Sequence, residues 1–329
     1  MSLQKIENCP GTLANGFNTY SRACLNKLFN SKKVSHILPY DSPNSNSDND
    51  VLFDESRKNI SISGFQEKFS IILQKNKLRL IKEGERGTHI LKPIPSLGKK
   101  KDQMPANEHL TMQIANQVYG INTAANAIIF FKDGATAYIT KRFDIDKEGN
   151  KLAQEDFASI AGRVPQIHGE HYKYLGNYLE LFYILKASVP AYKIEAPKLL
   201  KLIMFNYLFS NGDAHYKNFS FIETSFGDYK LSPAYDLLNS RIHVNDSDFA
   251  LKDGLLPPNM AHGKISKQFA IIANLAEINE NVYKRIISLM LSKSNKVKAL
   301  IDSSYLNETT KRNYWQMYKR KVKVLAKDV

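Results

Sequence analysis

The chain has 329 residues, 43% of them hydrophobic, and a formal net charge of +14 at pH 7. This length exceeds what one simple core usually encloses, so two lobes that share a cleft are expected. Two cysteines, Cys9 and Cys24, are too few for a disulfide framework or a cysteine zinc site. No apolar run is long enough to span a membrane, and the N-terminus lacks the apolar core of a secretory signal. We therefore expect a cytoplasmic protein without a membrane partner.

The basic residues are scattered, with clusters at residues 99–101 and 319–323. The second cluster lies beside Tyr314, Trp315 and Tyr318, as in a helix that contacts DNA or a partner. A solvated helix end with the aromatic rings turned inward is the favoured interpretation. The sequence has no helix-turn-helix, zinc-finger or RNA-binding signature, so we expect any association with DNA to be indirect.

The first half of the chain predicts a capping segment followed by a β-rich lobe. Residues 1–56 form the capping segment, which ends in a flexible loop rich in Ser, Asn and Asp. Residues 57–155 form an N-lobe, and its predicted strands cover residues 60–73, 78–82, 88–92, 126–131 and 136–143.

Three residues of this lobe match the parts that bind phosphates in a kinase. Gly64 lies between alternating apolar residues, a pattern that indicates a strand, a tight turn and a second strand, although it is a weak glycine-loop signal alone. Lys92 precedes Pro93, which ends its strand, so its ammonium can project into a cleft. Glu108 is predicted in the first turn of a helix that runs to Tyr119 and would hold the lysine.

Residues 156–329 predict a helical C-lobe, with helices at residues 178–186, 196–210, 269–292 and 307–325. Residues 162–176 are predicted as a loop at the junction of the lobes. This loop contains His168, His171 and Tyr172, but His-x-x-His lacks the carboxylate and the third ligand that zinc needs.

The strongest chemical signal is the order of Asp213, Asn218 and Asp236. In a protein kinase, a catalytic-loop aspartate accepts the proton of the substrate hydroxyl, and an asparagine five residues later binds Mg²⁺. A further aspartate beyond a hairpin also binds Mg²⁺. Residues 219–224 and 229–232 predict that hairpin, with a turn at 225–228. An ordinary turn is the alternative for Asn211-Gly212-Asp213.

Two neighbours of the loop have predicted supporting roles. His215 is expected to support the loop through hydrogen bonds rather than to transfer a proton. Lys217 either neutralises the transferred phosphate or faces solvent. Asp236 is not followed by the glycine of the usual Asp-Phe-Gly motif, so activation-loop switching should not be assumed.

Together these segments resemble the HipA-type serine/threonine kinases of bacterial toxin–antitoxin systems. The resemblance covers about residues 60 to 240 and rests on seven segments in family order: 63–68, 88–93, 107–108, 141–144, 154–156, 205–218 and 231–236. It implies an α+β, two-lobed, protein-kinase-like fold with ATP and Mg²⁺ as cofactors.

The resemblance also assigns roles to individual residues. It implies that Asp213 is the catalytic base, that Asn218 and Asp236 bind Mg²⁺, and that Lys92 contacts the ATP phosphates. The further residues that it places at the nucleotide are Gly64, Lys141, Phe143, Asp144, Gln154 and His215, with the backbones of Lys141 and Phe143 in contact with adenine. For Asp144, a structural role at the end of a strand is the alternative.

Within this family the chain resembles the shorter HipT-type kinases. Only about sixty residues precede Gly64, whereas full-length HipA begins with an extra subdomain of roughly a hundred residues, a typical small-domain size. Ser61 and Ser63 resemble the paired autophosphorylation serines of that branch, and phosphate there would repel the phosphates of ATP. Without the resemblance, two serines on one face of a strand are the simpler interpretation.

The resemblance implies a toxin that phosphorylates an aminoacyl-tRNA synthetase, with the tryptophanyl enzyme suspected, and thereby inhibits translation. The implied partners are a small HipS-like protein, similar to the extra subdomain, and a HipB-like helix-turn-helix antitoxin that carries the DNA contact. The alternatives are a metal-dependent phosphohydrolase that uses Asp213, His215 and Asp236, and a non-catalytic protein that binds ATP.

Overall fold

A computed structural model describes residues 6–43, 53, 67–146 and 148–328. The predicted glycine loop around Gly64 and the predicted autophosphorylation sites Ser61 and Ser63 lie outside these residues. None of the helices formed by the described part of the chain combines the length and the apolar character needed to cross a membrane.

The N-lobe is built on a five-stranded antiparallel sheet with the order β2-β1-β3-β5-β4. The strands are β1 (Phe69–Gln74), β2 (Lys77–Leu80), β3 (His89–Pro93), β4 (Asn126–Phe130) and β5 (Thr136–Lys141). Each overlaps a strand predicted from apolar alternation. Buried side chains on one side of the sheet include Phe69, Ile71 and Leu91, and together with the capping segment they form one apolar cluster.

The capping segment contains helix α1 (Arg22–Phe29), which packs on β4 and β5. The side chain of Ser21 caps its first turn by accepting from the backbone N–H of Cys24. Cys9 and Cys24 are both buried and unbridged. The segment therefore covers the sheet and contributes to the core of the lobe.

Helix α2 (Met104–Gln117) crosses the molecule between the sheet and the C-lobe and is buried along most of its length. It begins four residues earlier than predicted, because Pro105 has the backbone angle that favours a first helical turn. Glu108 therefore lies one turn into the helix, and the prediction that it lies in the first turn was wrong. Its apolar residues share a cluster with the C-lobe helices.

The C-lobe contains a second sheet of three antiparallel strands, β6 (Gln154–Asp156), β7 (Ser220–Glu223) and β8 (Tyr229–Leu231), in the order β6-β7-β8. The β7–β8 hairpin is the one predicted between Asn218 and Asp236. It places these two residues at its adjacent ends.

Each of the four predicted C-lobe helices overlaps at least one observed helix, but the boundaries differ, and the segment 162–176, predicted as a loop, contains a short helix. They are α3 (Phe157–Ile160), α4 (Pro165–His168), α5 (Tyr178–Ser188), α6 (Tyr192–Leu208), α7 (Ile265–Leu275), α8 (Glu280–Leu291), α9 (Ser294–Asp302) and α10 (Glu308–Leu325). The single helix predicted at 269–292 is two helices, because Glu277 adopts a left-handed φ of 57° and Asn279 caps α8. The division of the chain at residues 56 and 155 stays a prediction.

Candidate active site

Lys92, on strand β3, lies at the base of the cleft between the lobes. Its side chain is 5% exposed, and its ammonium donates to Glu108 Oε1 at 2.6 Å and to the carboxylate of Asp236. Burial alone disfavours the charged form, but the carboxylates of Asp236 and Glu108 raise the pKa of Lys92 above its ordinary value. The helix glutamate and the strand lysine predicted from sequence are thus in direct contact.

Asp236 follows the β7–β8 hairpin and has a left-handed φ of 53°, a conformation that Asp and Asn tolerate better than most residues. Its Oδ2 lies 3.3 Å from the ammonium of Lys68. Burial opposes its ionisation, yet the charges of Lys92 and Lys68 hold the pKa of this carboxyl well below its usual range. Asp236 is therefore a carboxylate throughout the physiological range.

Asn218 ends a 3₁₀ turn (Tyr216–Asn218) just before β7. Its Nδ2 lies 3.5 Å from Asp236 Oδ2, and its buried Oδ1 has no hydrogen-bond partner among the described residues. A buried acceptor without a donor beside a carboxylate suits a cation. Mg²⁺ is usually held by one or two side chains plus substrate phosphates rather than by a protein cage. The described residues contain no group of three or more His, Cys, Asp or Glu suited to a metal, and the binding of Mg²⁺ by Asn218 and Asp236 stays a prediction.

Asp213 lies in the loop after helix α6, on the C-lobe side of the cleft. Its side chain is 50% exposed, and its Oδ1 accepts a hydrogen bond from the hydroxyl of Tyr174 at 2.7 Å. Partial desolvation of the carboxylate inside the cleft is the main cause that raises the pKa of Asp213 above its ordinary value. The hydrogen bond from Tyr174 lowers this pKa. This carboxylate is placed to accept a proton.

His215 supports this loop mainly through its backbone. Its N–H donates to the carbonyl of Asp213 at 2.8 Å, and its carbonyl accepts from the N–H of Asn218 at 2.9 Å. The imidazole lies 3.9 Å from Asp213 and packs edge-on against Tyr174. Burial lowers the pKa of His215 to about 3, so the ring is neutral near pH 7.

Lys217 lies on the same loop, with its ammonium 3.4 Å from Asp156 Oδ2. Burial disfavours the charged form, but Asp156 raises the pKa of Lys217 above its ordinary value. The lysine therefore stays cationic where it lines the cleft.

These groups line one cleft of about 900 Å³. Lys92, Glu108, Asp213, Asn218 and Asp236 all contribute to its wall. The outer part is lined by two C-lobe segments, residues 165–174 and residues 238–250. The predicted kinase constellation is thus assembled in one place.

Four residues predicted at the nucleotide lie outside the lining of this cleft. The Lys141 ammonium donates to Asn30 at 2.6 Å, and Phe143 stacks on Tyr235 with ring centroids 5.7 Å apart. Asp144 pairs with Arg142, and Gln154 donates to Ser220 at 3.0 Å. Backbone contacts of Lys141 and Phe143 to adenine stay a prediction.

Sequence reasoning missed two polar contacts of the site. Lys68 pairs with Asp236, and Tyr174 donates to Asp213. Lys68 ends the segment 63–68 that carried part of the resemblance, so its place in that motif was an available signal. Tyr174 lies in a loop without periodicity, 39 residues before its partner, and no local pattern pointed to it.

A family model for the HipA-like C-terminal domain matches residues 60–298 of the chain. The chain belongs to this family. Two relatives are a protein of Haemophilus influenzae named "Putative kinase" and one of Sinorhizobium fredii named "Putative kinase Y4dM". The first is 26% identical over 67% of this chain and 63% of its own length, and the second is 29% identical over 75% and 61%. The chain thus spans less than two thirds of either relative.

Two solved structures share the fold. One is HipA of Shewanella oneidensis, from a toxin–antitoxin complex with HipB and operator DNA. It has a TM-score of 0.58 and 22% identity, over 81% of this chain and 64% of that chain. The other is the Helicobacter pylori proinflammatory kinase CtkA, with a TM-score of 0.52 and 16% identity over 77% and 92%. These likenesses confirm the predicted α+β, kinase-like fold of this HipA-like chain.

Proposed function

We propose that this HipA-like chain is an ATP- and Mg²⁺-dependent serine/threonine protein kinase. The observation that carries the proposal is the convergence of Lys92 and Glu108 from one side of the cleft with Asp213, Asn218 and Asp236 from the C-lobe side. A lysine–glutamate pair, a catalytic aspartate and two oxygen ligands for Mg²⁺ are the parts that phosphoryl transfer needs. A turn or a structural ion pair does not require all five around one cleft.

The charged side chains of the site indicate how the ATP phosphates would be bound. Mg²⁺, held by Asn218 and Asp236, would neutralise charge on the ATP phosphates. Lys92 is already cationic and keeps Glu108 as a partner when its bond to Asp236 is given up for a phosphate oxygen. The pair therefore positions the phosphates without leaving a buried charge uncompensated.

Asp213 acts on the hydroxyl that accepts the phosphate. An acceptor oxygen forms a bond to the γ-phosphorus, the bond from that phosphorus to the bridging oxygen of ADP breaks, and the hydroxyl proton moves to Asp213. His215 is neutral and forms no side-chain hydrogen bond to Asp213, which supports a structural role. Lys217, which lines the same cleft, would neutralise charge on the transferred phosphate.

The assignments of substrate, autophosphorylation sites and partners rest on the resemblance to the HipT-type kinases. We propose a toxin of the HipT branch that autophosphorylates at Ser61 and Ser63 and phosphorylates an aminoacyl-tRNA synthetase, with the tryptophanyl enzyme as the first candidate. A HipB-like antitoxin is supported by the Shewanella oneidensis complex. A small HipS-like partner and a cytoplasmic location follow from the resemblance.

Intact-mass spectrometry of the dephosphorylated protein after incubation with Mg²⁺ and ATP tests this proposal. We expect a gain of one or two phosphates, about 80 Da each, that is lost in Asp213→Asn and in the Ser61→Ala, Ser63→Ala double variant. A gain that survives loss of Asp213 would contradict the assigned base. No gain in the wild type would contradict autophosphorylation.

Expression in a bacterial host tests the toxin role. We expect the wild-type chain to arrest growth and the Asp213→Asn chain, at the same protein level, to leave growth normal. Coexpression of a cognate helix-turn-helix antitoxin would relieve the arrest. Equal growth with both chains contradicts a kinase toxin.

A further inference from the structure

The hydroxyl of Tyr174 is hydrogen-bonded to the proposed catalytic base. It donates to Asp213 Oδ1 at 2.7 Å, the shortest hydrogen bond that the described residues form to this carboxylate. Asp213 Oδ2 accepts none from the described part of the chain. One oxygen is therefore held by the protein, and the other is left for an acceptor hydroxyl.

Tyr174 is itself held in place by a network at the base of its loop. Arg163 donates to the carbonyl of Leu175 and to the carboxylate of Glu180, and its guanidinium lies 3.9 Å from the ring centroid of Tyr216. Glu180 also accepts from the Tyr216 hydroxyl at 2.8 Å. These contacts fix both ends of the segment 163–176 against helix α5.

The loop is also hydrogen-bonded to a second segment of the C-lobe. The carbonyl of Tyr174 accepts from the N–H of Lys252 at 2.8 Å. The Tyr174 ring packs edge-on against the imidazole of His215, with centroids 5.1 Å apart and planes at 77°. Since backbone and ring are both fixed, the hydroxyl has a defined direction toward Asp213.

The Tyr174 hydroxyl keeps its proton and therefore remains a hydrogen-bond donor. Burial and the neighbouring Asp213 charge raise the pKa of Tyr174 well above its ordinary value, so the phenol is protonated at physiological pH. A phenol that points at a carboxylate stabilises its ionised form, which is the form that can accept a proton.

We propose that Tyr174 is a positioning residue for phosphoryl transfer, which holds Asp213 ionised and turned so that Oδ2 faces the acceptor hydroxyl. In many active sites a further side chain orients the catalytic base through a hydrogen bond in this way. The inference rests on the proposed kinase activity. It gives the segment 163–176 an indirect part in catalysis, through the Tyr174 hydroxyl that orients Asp213.

Tyr174→Phe tests the inference, because it removes the hydroxyl and retains the ring that packs on His215. We expect the rate of autophosphorylation at saturating Mg²⁺ and ATP to fall about 10-fold or more, as for loss of a hydrogen bond to a charged group. The ATP concentration for half-maximal rate is expected to stay within about twofold, because Tyr174 acts on the acceptor side. Tyr183→Phe, at an exposed tyrosine of α5, is the matched control.

The pH dependence separates positioning from a structural effect. The rate rises with pH as Asp213 loses its proton. Burial and the charge of Asp236 raise the pKa of Asp213, whereas the hydrogen bond from Tyr174 and the charges of Lys173 and Lys68 lower it. Tyr174→Phe should therefore move this acidic limb to higher pH, and Tyr183→Phe should leave it in place. The thermal midpoint of unfolding, measured on the same samples, checks that both variants are folded.

The outcomes distinguish this inference from the proposed function. An active wild type with an unchanged rate and pH limb in Tyr174→Phe overturns the role of Tyr174 and leaves the kinase intact. A slower variant whose pH limb has not moved also overturns it, because lost packing alone explains that result. A wild type without phosphoryl transfer overturns the kinase proposal and the role of Tyr174 together.

Discussion

Lys92 and Asp236 join the two lobes: the ammonium on strand β3 donates to a carboxylate that lies 144 positions later, beyond the β7–β8 hairpin. The first residue is the predicted phosphate contact, and the second is a predicted metal ligand. Each is the principal charge partner of the other, and Glu108 and Lys68 complete the set of ion pairs. A phosphate oxygen that bound Lys92, as we propose, would replace one of these ion pairs.

The buried lysine is expected to matter for stability as well as activity. Lys92→Met leaves Glu108, which is 2% exposed, without its cation, and breaking a buried pair in this way costs about 3–5 kcal/mol. Urea denaturation should show this loss in the free energy of unfolding. Lys298→Met, which breaks an exposed pair with Asp302, is the control and should cost below about 1 kcal/mol.

Adding Glu108→Gln to Lys92→Met should recover part of that loss, because the amide leaves no buried charge unpaired. The two substitutions are expected to couple by about 1–3 kcal/mol in a double-mutant cycle. Additive effects of the two substitutions would mean that the pair makes no direct energetic contact.

The metal assignment predicts opposite effects of one substitution with and without Mg²⁺. Asp236→Asn preserves a residue type that tolerates the left-handed backbone but removes the carboxylate charge. Calorimetric titration with Mg²⁺ present should show ATP affinity reduced at least about tenfold. With EDTA, the affinity should be unchanged or higher, because Lys92 and Lys68 are released for the phosphates. Equal enhancement of binding by Mg²⁺ in both proteins would contradict a ligand role for Asp236.

The base assignment predicts loss of chemistry without loss of binding. Asp213→Asn keeps the shape of the side chain and its contact with Tyr174 but cannot accept the proton, so transfer should slow by about 10²–10⁴-fold. The dissociation constant for ATP should change less than about threefold, because Asp213 does not contact the lysine or the metal ligands. Asp302→Asn on α9 is the control. A large loss of ATP binding in Asp213→Asn would place the residue in the nucleotide site instead.

Buried histidines should make the fold sensitive to acid. Burial lowers the pKa of His89 and of His109 to about 4 each, whereas an unfolded histidine titrates near 6.5. Between about pH 6.5 and pH 4 the unfolded chain binds more protons, so stability is complete above this window and falls as the pH drops through it. The two rings contribute up to about 2.7 kcal/mol per pH unit to the slope.

His109→Gln should reduce that slope by the share of one proton, and Tyr183→Phe, at an exposed side chain without an imidazole, is the control. Urea denaturation at a series of pH values measures both. Identical slopes for wild type and His109→Gln would show that the buried imidazole does not titrate on unfolding.

Much of the site was predictable because its residues lie at fixed spacings within local structure. Asp213 and Asn218 share one loop, and the hairpin before Asp236 has apolar strands and a turn that are visible in the sequence. Lys92 sits at the end of an apolar strand. These relations depend on short segments whose conformation is set by nearby residues.

Contacts that depend on tertiary packing were not predictable. Tyr174 reaches Asp213 only because Arg163 anchors an irregular loop, and the pairing of Lys68 depends on how the lobes face each other. The break between α7 and α8 was missed because apolar spacing continues through it, whereas the left-handed Glu277 ends the helix. The early start of α2 depends on Pro105 in its first turn, which the apolar spacing of the helix does not indicate.

The destination of the γ-phosphate of ATP tests the central claim most directly. With γ-³²P-ATP and Mg²⁺, the wild type should place label on serine or threonine of the protein, and both Lys92→Ala and Asp213→Asn should abolish it. Label released mainly as inorganic phosphate, at a rate that Lys92→Ala leaves largely unchanged, would contradict the kinase and support a metal-dependent phosphohydrolase.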